Sequence, residues 1–184
     1  MPTFEELIKQ MKAVREALPE VLKDTATSVS LSAKAIAERT IKEAGFGQTY
    51  SSNEYPVWFL KGKELNKRGT AFIYSVEREA QKLDIEPEAN WAQFRGSQGL
   101  QNGFVDLTYS GKMWSGMFPG EVEIEGFRYI APLGHNNKEG QKTMNYNYER
   151  YGDFIGSTLT GDNLDALYQI AVDEIYRLID EKLS

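Results

Sequence analysis

The sequence contains no cysteine and only one histidine, His135, in 184 residues. Without cysteine the chain has no disulfide framework, no thiolate nucleophile and no thiolate zinc site. With one histidine it has neither a multi-histidine metal site nor a relay between two histidines. These absences exclude several common classes of catalytic and metal centre before any fold is considered.

Long apolar runs are also missing. No segment approaches the ~20 consecutive apolar residues that a membrane-crossing helix needs. The first residues, MPTFEE, have neither the basic region nor the apolar region of a signal peptide. We therefore expect a soluble protein with no membrane among its partners.

The charge is acidic overall and unevenly distributed. The chain has 27 Asp and Glu against 21 Lys and Arg, a net charge of −6. This balance argues against tight nucleic-acid binding, because contacts with phosphate groups need clustered Lys and Arg side chains. Residues 61–68 contain four bases and one acid, whereas residues 157–184 contain six acids and two bases. Opposite patches of this kind suit a head-to-tail contact between copies of one chain.

The sequence patterns follow the order helix, mixed strands and loops, helix. Apolar residues recur at helical spacing over 1–45, where Pro19 predicts either a kink or the start of a second helix. Short apolar runs broken by Gly and Pro fill 46–156, and 157–184 has the pattern of an amphipathic helix. We expect one α+β domain over 1–184, in which the long terminal helices pack an antiparallel or mixed β-sheet.

The clearest strand signal in the middle region is a hairpin. Residues 121–125 alternate, which places Val122 and Ile124 inward, and Gly126 separates them from a return strand over 127–130. Further predictions are a strand over 104–109, a strand over 145–148 and a loop over 91–99.

Two features could carry catalysis. Glu121, Glu123 and Glu125 place three carboxylates on one strand face, but a half-buried strand has such a solvated face without any site. His135 has no Gly-x-Ser-x-Gly element to supply a nucleophile, so we interpret it as an exposed loop histidine. The glycines form no phosphate-binding motif. We predict no catalytic residue, no metal site and no cofactor, with a small hydrolase that uses His135 and strand carboxylates as an alternative.

Charged and aromatic residues are better candidates for partner contacts. Trp58, Trp91 and Trp114 are typical core or interface anchors, and exposed Trp and Tyr also leave open a small binding module, for example for glycans. The predicted interface with copies or partners consists of Lys61, Lys63, Lys67, Arg68, Trp114, Asp173, Glu174, Asp180 and Glu181.

Two short segments, DLTYSGKMWSGM at 106–117 and RYGDFIGS at 150–157, resemble motifs of the neck and tail-completion proteins of tailed phages. That family, also known as minor tail or virion morphogenesis proteins, has a Thr/Ser-Gly-x-Leu/Met step followed by a small and an aliphatic residue. Here these positions are Ser110, Gly111, Met113, Gly116 and Met117. The second segment is similar to the family's Arg-Pro-Phe-Leu-Gly-Leu-Ser step, with Asp153 at the position of the proline. The order of helix, motif, hairpin and helix is also similar.

The resemblance implies a structural virion protein of a tailed phage or prophage. It implies a neck or tail-completion subunit that forms a homo-oligomeric ring at the head–tail junction, with no catalytic residue. Its partners would be other neck or tail proteins, and DNA would be only a passing cargo in a channel. The protein would be assembled in the host bacterial cytoplasm and located in the virion. A tight bend at Ser110-Gly111 would return Met113 and Met117 to the core.

Overall fold

The computed structural model describes residues 3–63, 65–107 and 111–183. The chain is an α+β protein with long N-terminal and C-terminal helices and small antiparallel sheets, which confirms the predicted fold class. It divides into two compact units. Unit 1 comprises the residues up to Thr40 and those from Lys112 onward, and unit 2 comprises Ile41–Gly111.

The helices and strands are short in the middle of the chain and long at its ends. In chain order they are α1 (Phe4–Ala44), β1 (Glu54–Pro56), α2 (Val57–Lys61), α3 (Lys67–Leu83), β2 (Glu88–Asn90), α4 (Trp91–Ser97), α5 (Lys112–Ser115), β3 (Met117–Pro119), β4 (Glu123–Glu125), β5 (Arg128–Ile130), β6 (Leu133–His135), α6 (Lys138–Tyr151) and α7 (Asp162–Leu183). A 3₁₀ turn over Gly156–Thr158 precedes α7. None of the helices in the described ranges is long and apolar enough to cross a membrane.

Helix α1 is a single element of 41 residues that begins with a reciprocal cap. The backbone N–H of Thr3 donates to the Glu6 carboxylate, and the Glu6 N–H donates to the Thr3 hydroxyl. The hydrogen bond from the Thr3 backbone lowers the pKa of Glu6. The helix continues through Pro19, so the alternative of a second helix starting there is wrong. It ends where Gly45 adopts a φ of +72° and donates its N–H to the Ile41 carbonyl.

Within unit 1, α1 and α7 lie side by side. Their side-chain contacts are Glu20–Lys182 at 3.1 Å, Ser28–Glu174 at 3.0 Å and Thr40–Asn163 at 3.2 Å. From the first pair to the third, the α1 residue number rises from 20 to 40 and the α7 residue number falls from 182 to 163. The two helices therefore run antiparallel, and the last turn of α7 lies at the level of Glu20.

The strands of the described residues form two-stranded antiparallel sheets: β1–β2 in unit 2, and β3–β6 and β4–β5 in unit 1. The β4–β5 hairpin confirms the predicted one, with Ile124 opposite Tyr129. The inward placement of Ile124 is wrong, because its side chain is more than half exposed, and Val122 alone of the two apolar residues is buried. A sheet of two three-residue strands buries too little surface to cover both positions.

Three other local predictions are wrong. Residues 104–107 form no strand, and the rest of that predicted strand, Thr108 and Tyr109, lies outside the described residues. The predicted loop over 91–99 contains α4, which Asn90 and Gln93 open with a capping box. The predicted strand over 145–148 lies inside α6.

Candidate interaction surfaces

The predicted basic patch lies in unit 2, at the junction between two helices. Lys61 ends α2 and makes an ion pair with Glu77 at 2.5 Å. The Lys63 ammonium lies 4.4 Å from the centre of the Phe59 ring, a cation–π contact. Lys67 then begins α3. The patch is therefore held on a local scaffold.

Two cations of the patch lie at the N-terminus of α3, where a positive charge lowers the stability of the helix. Asn66 caps α3 by accepting the Gly69 N–H at 2.9 Å, and Lys67 and Arg68 occupy the first turn, which contains no acid. The positive end of the helix dipole repels cations there, at a cost of about 0.3–1 kcal/mol each. Helix stability therefore gives no reason for these two residues.

Exposed aromatic side chains adjoin the basic patch. Trp58 is 72% exposed and meets Phe59 edge to face at 6.4 Å between ring centres, and Tyr55 stacks on Phe59 at 5.7 Å. The alternation inside α2 explains the exposure, because Val57 and Leu60 are buried on the opposite side. The patch therefore combines positive charge with an aromatic surface.

The acidic residues predicted on the C-terminal helix lie along one side of α7 in unit 1. Arg177 lies among them and bonds to Glu174 at 2.8 Å and to Glu181 at 2.5 Å. Hydrogen bonding from Arg177 lowers the pKa of Glu174, which also accepts the Ser28 hydroxyl. Asp173 accepts a bond from Gln169 on the same helix. Arg177 therefore partly neutralises Glu174 and Glu181, which leaves Asp173 and Asp180 as the other acids of this side.

Trp114 is an interior residue and not the predicted interface anchor. Its side chain is 1% exposed and meets Phe154 edge to face, with 6.1 Å between ring centres. Tyr148 covers the same phenylalanine at 4.6 Å. The burial corrects the prediction, because a side chain enclosed in its own core has no surface to offer a partner.

The two motif segments meet in this core. Met113 and Met117 of the first segment are buried, and Gly111 has a φ of +68°, as a bend requires. Ser110, the other residue of the expected bend, lies outside the described residues. Phe154 of the second segment is also buried.

The departure from the family pattern at Asp153 also has a physical role. The Asp153 carboxylate accepts the backbone N–H of Gly156, the first residue of the 3₁₀ turn, at 2.8 Å. Proline has no side-chain acceptor and could not make this bond. Aspartate at this position therefore stabilises the chain turn over residues 153–156.

His135 is a half-buried residue of β6 and not an exposed loop histidine, so that prediction is wrong. Its ring lies in a notch between Gly116 and Gly140, where a methyl group on either glycine would overlap it. The Asn137 N–H donates to Nδ1 at 3.2 Å, so Nε2 carries the proton and meets the Lys112 carbonyl at 3.1 Å. Both ring nitrogens are thus used for positioning backbone.

The carboxylates that could accompany this histidine lie elsewhere. Glu121, Glu123 and Glu125 are all exposed, and Glu125 is 3.8 Å from Arg128 in the same hairpin. Within the described ranges, no three His, Asp or Glu side chains approach closely enough to hold a metal ion. This arrangement matches the solvated strand face expected from the sequence.

A groove of about 720 Å³ crosses unit 1. Its walls come from α1, from β5 with the residues that follow it, and from α6. Only uncharged side chains line it; the polar ones are Ser30, Tyr129, Gln141, Asn145 and Tyr148. The groove is large enough for a small ligand, but it gathers no group that would act as an acid, base or nucleophile at neutral pH.

A buried ion pair in unit 2 was missed by sequence reasoning. One guanidinium nitrogen of Arg95 bonds both carboxylate oxygens of Asp106, at 2.8 and 2.7 Å, and both residues are buried. The Tyr50 hydroxyl donates to the same carboxylate at 2.7 Å, and burial raises the pKa of Tyr50. Arg95 Nε bonds the Gln101 carbonyl. The network ties α4 to two irregular segments and is structural.

No family model matches the chain, and neither a curated protein nor a solved structure matches it. Function must therefore be inferred from the surfaces of the chain itself and from its two motif segments.

Proposed function

We propose that this chain is a structural virion protein of a tailed phage or prophage, a neck or tail-completion subunit that forms a homo-oligomeric ring at the head–tail junction. The two motif segments support the phage assignment, and they meet where Trp114 of the first packs against Phe154 of the second. Its other partners are neck or tail proteins, and its location is the virion after assembly in the host bacterial cytoplasm. It performs no catalysis.

The observation that carries this proposal is the amount of large apolar surface that unit 1 leaves exposed. Soluble monomers rarely expose contiguous apolar patches without an interaction that covers them, and four exposed residues, Phe4, Leu7, Ile8 and Met11, lie together on the first turns of α1. Phe127 at the hairpin tip is fully exposed, and both terminal helices expose apolar side chains. These residues are Phe4, Leu7, Ile8, Met11, Phe127, Leu164, Tyr168 and Tyr176. A protein that assembles with neighbours has a use for such a surface.

Charge supplies a second contact between copies. We expect the basic patch of one copy to meet the acidic side of α7 on the next, a heterologous contact of the kind that closes rings. Lys67 and Arg68 support this arrangement because they act against the stability of their own helix. The net charge of −6 also suits a channel through which DNA passes, since repulsion keeps the duplex from adhering.

The exposed Trp58 edge favours a second candidate function, a small binding module. Indole rings exposed beside cations are typical of ligand and partner contacts. If the module binds glycans, a glycan panel should quench or shift tryptophan fluorescence in the wild type and not in Trp58→Ala. An unchanged spectrum across the panel would reject glycan binding and leave the structural role as the remaining candidate.

Deletion of the reading frame from the source phage or prophage tests the proposed function. We expect separate heads and tails, or unjoined particles, by electron microscopy, and recovery of joined particles when the wild-type chain is supplied. Infectious particles of normal shape from the deletion strain would contradict the proposal.

A matched variant separates the structural role from the hydrolase alternative. His135→Gln keeps a side-chain amide that can donate to the Lys112 carbonyl but cannot transfer a proton at neutral pH. We expect this variant to restore particle joining. A folded His135→Gln protein that fails to do so would favour catalysis by His135.

A further inference from the structure

The first four turns of α1 expose a regular apolar line, here called the seam. It consists of Phe4, Leu7, Met11, Val14 and Leu18. The spacing alternates strictly between three and four residues, a mean of 3.5, which is the repeat of helices that pack as coiled coils. The same spacing continues to Val21 and Thr25, which are buried in unit 1.

The described structure leaves most of the seam uncovered, with Val14 half-buried. Phe4 is 77% and Met11 71% exposed, and Leu7 and Leu18 are also exposed. The exposure follows from the pairing of the terminal helices, because the last turn of α7 lies at the level of Glu20. The seam therefore begins just past the level where the contact with α7 stops and is roughly 21 Å long. It continues the apolar line that α1 already buries within unit 1.

An uncovered helix of this length needs a partner. Isolated helices of about 12–15 residues are only marginally stable in water, and most helical stability comes from packing an apolar face. Apart from Ile8 beside it, the apolar line is one residue wide, as in a contact with another helix, and not the broad face of a helix that lies on lipid. Residues 4–18 carry three acids and three bases, so they have no net positive charge to bind an anionic membrane.

We propose that the seam packs antiparallel against the seam of a second copy of this chain. Glu5 and Glu6 lie at the start of the segment, and Lys9, Lys12 and Arg15 follow. Antiparallel packing places the acidic end of each helix at the level of the basic turns of the other, whereas parallel packing places like charges together. The helix dipoles also favour the antiparallel arrangement. This inference rests on one part of the proposed function, namely that copies of the chain assemble, and not on the virion assignment.

Sedimentation of the full chain tests the contact. The ring contact is proposed for the head–tail junction, so we expect the isolated wild type to sediment with twice the mass of one chain. Leu7→Glu/Met11→Glu should sediment as a single chain that remains folded, because the exposed seam residues lie outside the core. Lys23→Glu changes the net charge by the same two units at an exposed position of α1 beyond the seam and should leave the twofold mass intact. A monomeric wild type, or a double variant that keeps the twofold mass, would overturn the proposal.

Cysteine cross-linking tests the orientation, and the cysteine-free chain gives no background. A mixture of Phe4→Cys and Val14→Cys chains should form a mixed disulfide dimer, whereas Phe4→Cys alone should not. Cross-linking of Phe4→Cys alone would overturn the antiparallel packing. The proposal would also fail if the wild type bound anionic vesicles and formed no dimer, while Leu7→Glu/Met11→Glu did not bind them. Particles that need the chain but tolerate the seam variants would reject the seam contact and leave the proposed function standing.

Discussion

Trp114 and Phe154 meet edge to face at 6.1 Å, with an angle of 88° between their rings. Forty residues separate them in the sequence, and each belongs to one of the two segments that resemble phage motifs. The contact joins the two segments, since the first supplies Trp114 and the second supplies the ring that Trp114 packs against. We therefore expect the motif residues to act through stability and not through chemistry.

Replacing Phe154 tests this packing role. Phe154→Ala removes a ring that is 0% exposed and should lower the free energy of unfolding by about 3–5 kcal/mol. Phe127→Ala makes the same change at the exposed hairpin tip and should alter it by less than about 0.5 kcal/mol. Urea unfolding of both variants provides the comparison. If the two variants lost the same unfolding free energy, the core would not depend on the contact between Trp114 and Phe154.

Gly140→Ala tests the notch that holds His135. Alanine gains about 1 kcal/mol over glycine in a helix, but its methyl group would overlap a ring that two backbone hydrogen bonds hold in place. Overpacking of this kind costs about 1–3 kcal/mol, so we expect a net loss of stability. Gly134→Ala is the control, because its methyl group would meet only Gln141, at 3.9 Å. A stabilised Gly140→Ala protein would show that the ring moves freely.

The buried ion pair of unit 2 should be sensitive to the loss of one partner. Arg95→Met leaves the Asp106 carboxylate buried without its cation and should cost about 3–5 kcal/mol. Lys82→Met breaks the exposed pair with Glu79 and should cost less than about 1 kcal/mol. Denaturant titration followed by circular dichroism measures both. A small effect at Arg95 would mean that water reaches the carboxylate.

Tyr50 gives the same network a dependence on alkaline pH. Its pKa is raised in the folded protein, so the unfolded chain releases the phenolic proton first, near pH 10. Stability from this group is therefore complete below pH 10 and is lost as the pH rises above it. We expect unfolding free energies measured between pH 8 and 11 to fall less steeply in Tyr50→Phe than in Tyr74→Phe, where the ring is exposed. Parallel curves would contradict this.

The basic patch yields a prediction in which stability and assembly change in opposite directions. Lys67→Glu/Arg68→Glu places acids in the first turn of α3 and should raise stability by about 0.3–1 kcal/mol per residue. The same variant should fail to assemble into joined particles, since its contact with the acidic side of α7 is lost. Full assembly by a stabilised variant would make the patch an ordinary solvated surface.

The terminal helices and the hairpin could be predicted from the sequence because periodicity and turn residues determine them locally. Helices α4 and α6 were missed because glycines and alternating tyrosines suggested loop and strand. Their starts did carry a signal, in that Asn90 and Asn137 each accept the backbone N–H of the residue three positions later. Cap chemistry was the better guide to these two elements.

The tertiary contacts could not be predicted in this way. The burial of Trp114 depends on Phe154, and the enclosure of His135 depends on two glycines in different elements. Arg95 and Asp106 lie eleven residues apart, a spacing that matches no local pairing rule. Such contacts depend on how distant segments pack, which a single sequence does not reveal.

The central claim, that this chain is a building block of a virion, is tested most directly by quantitative mass spectrometry of purified tailed particles from the source. The account predicts a fixed number of copies per particle, larger than one and reproducible between preparations, as a closed ring requires. Particles that lack the chain while the producing cells contain it would contradict the account.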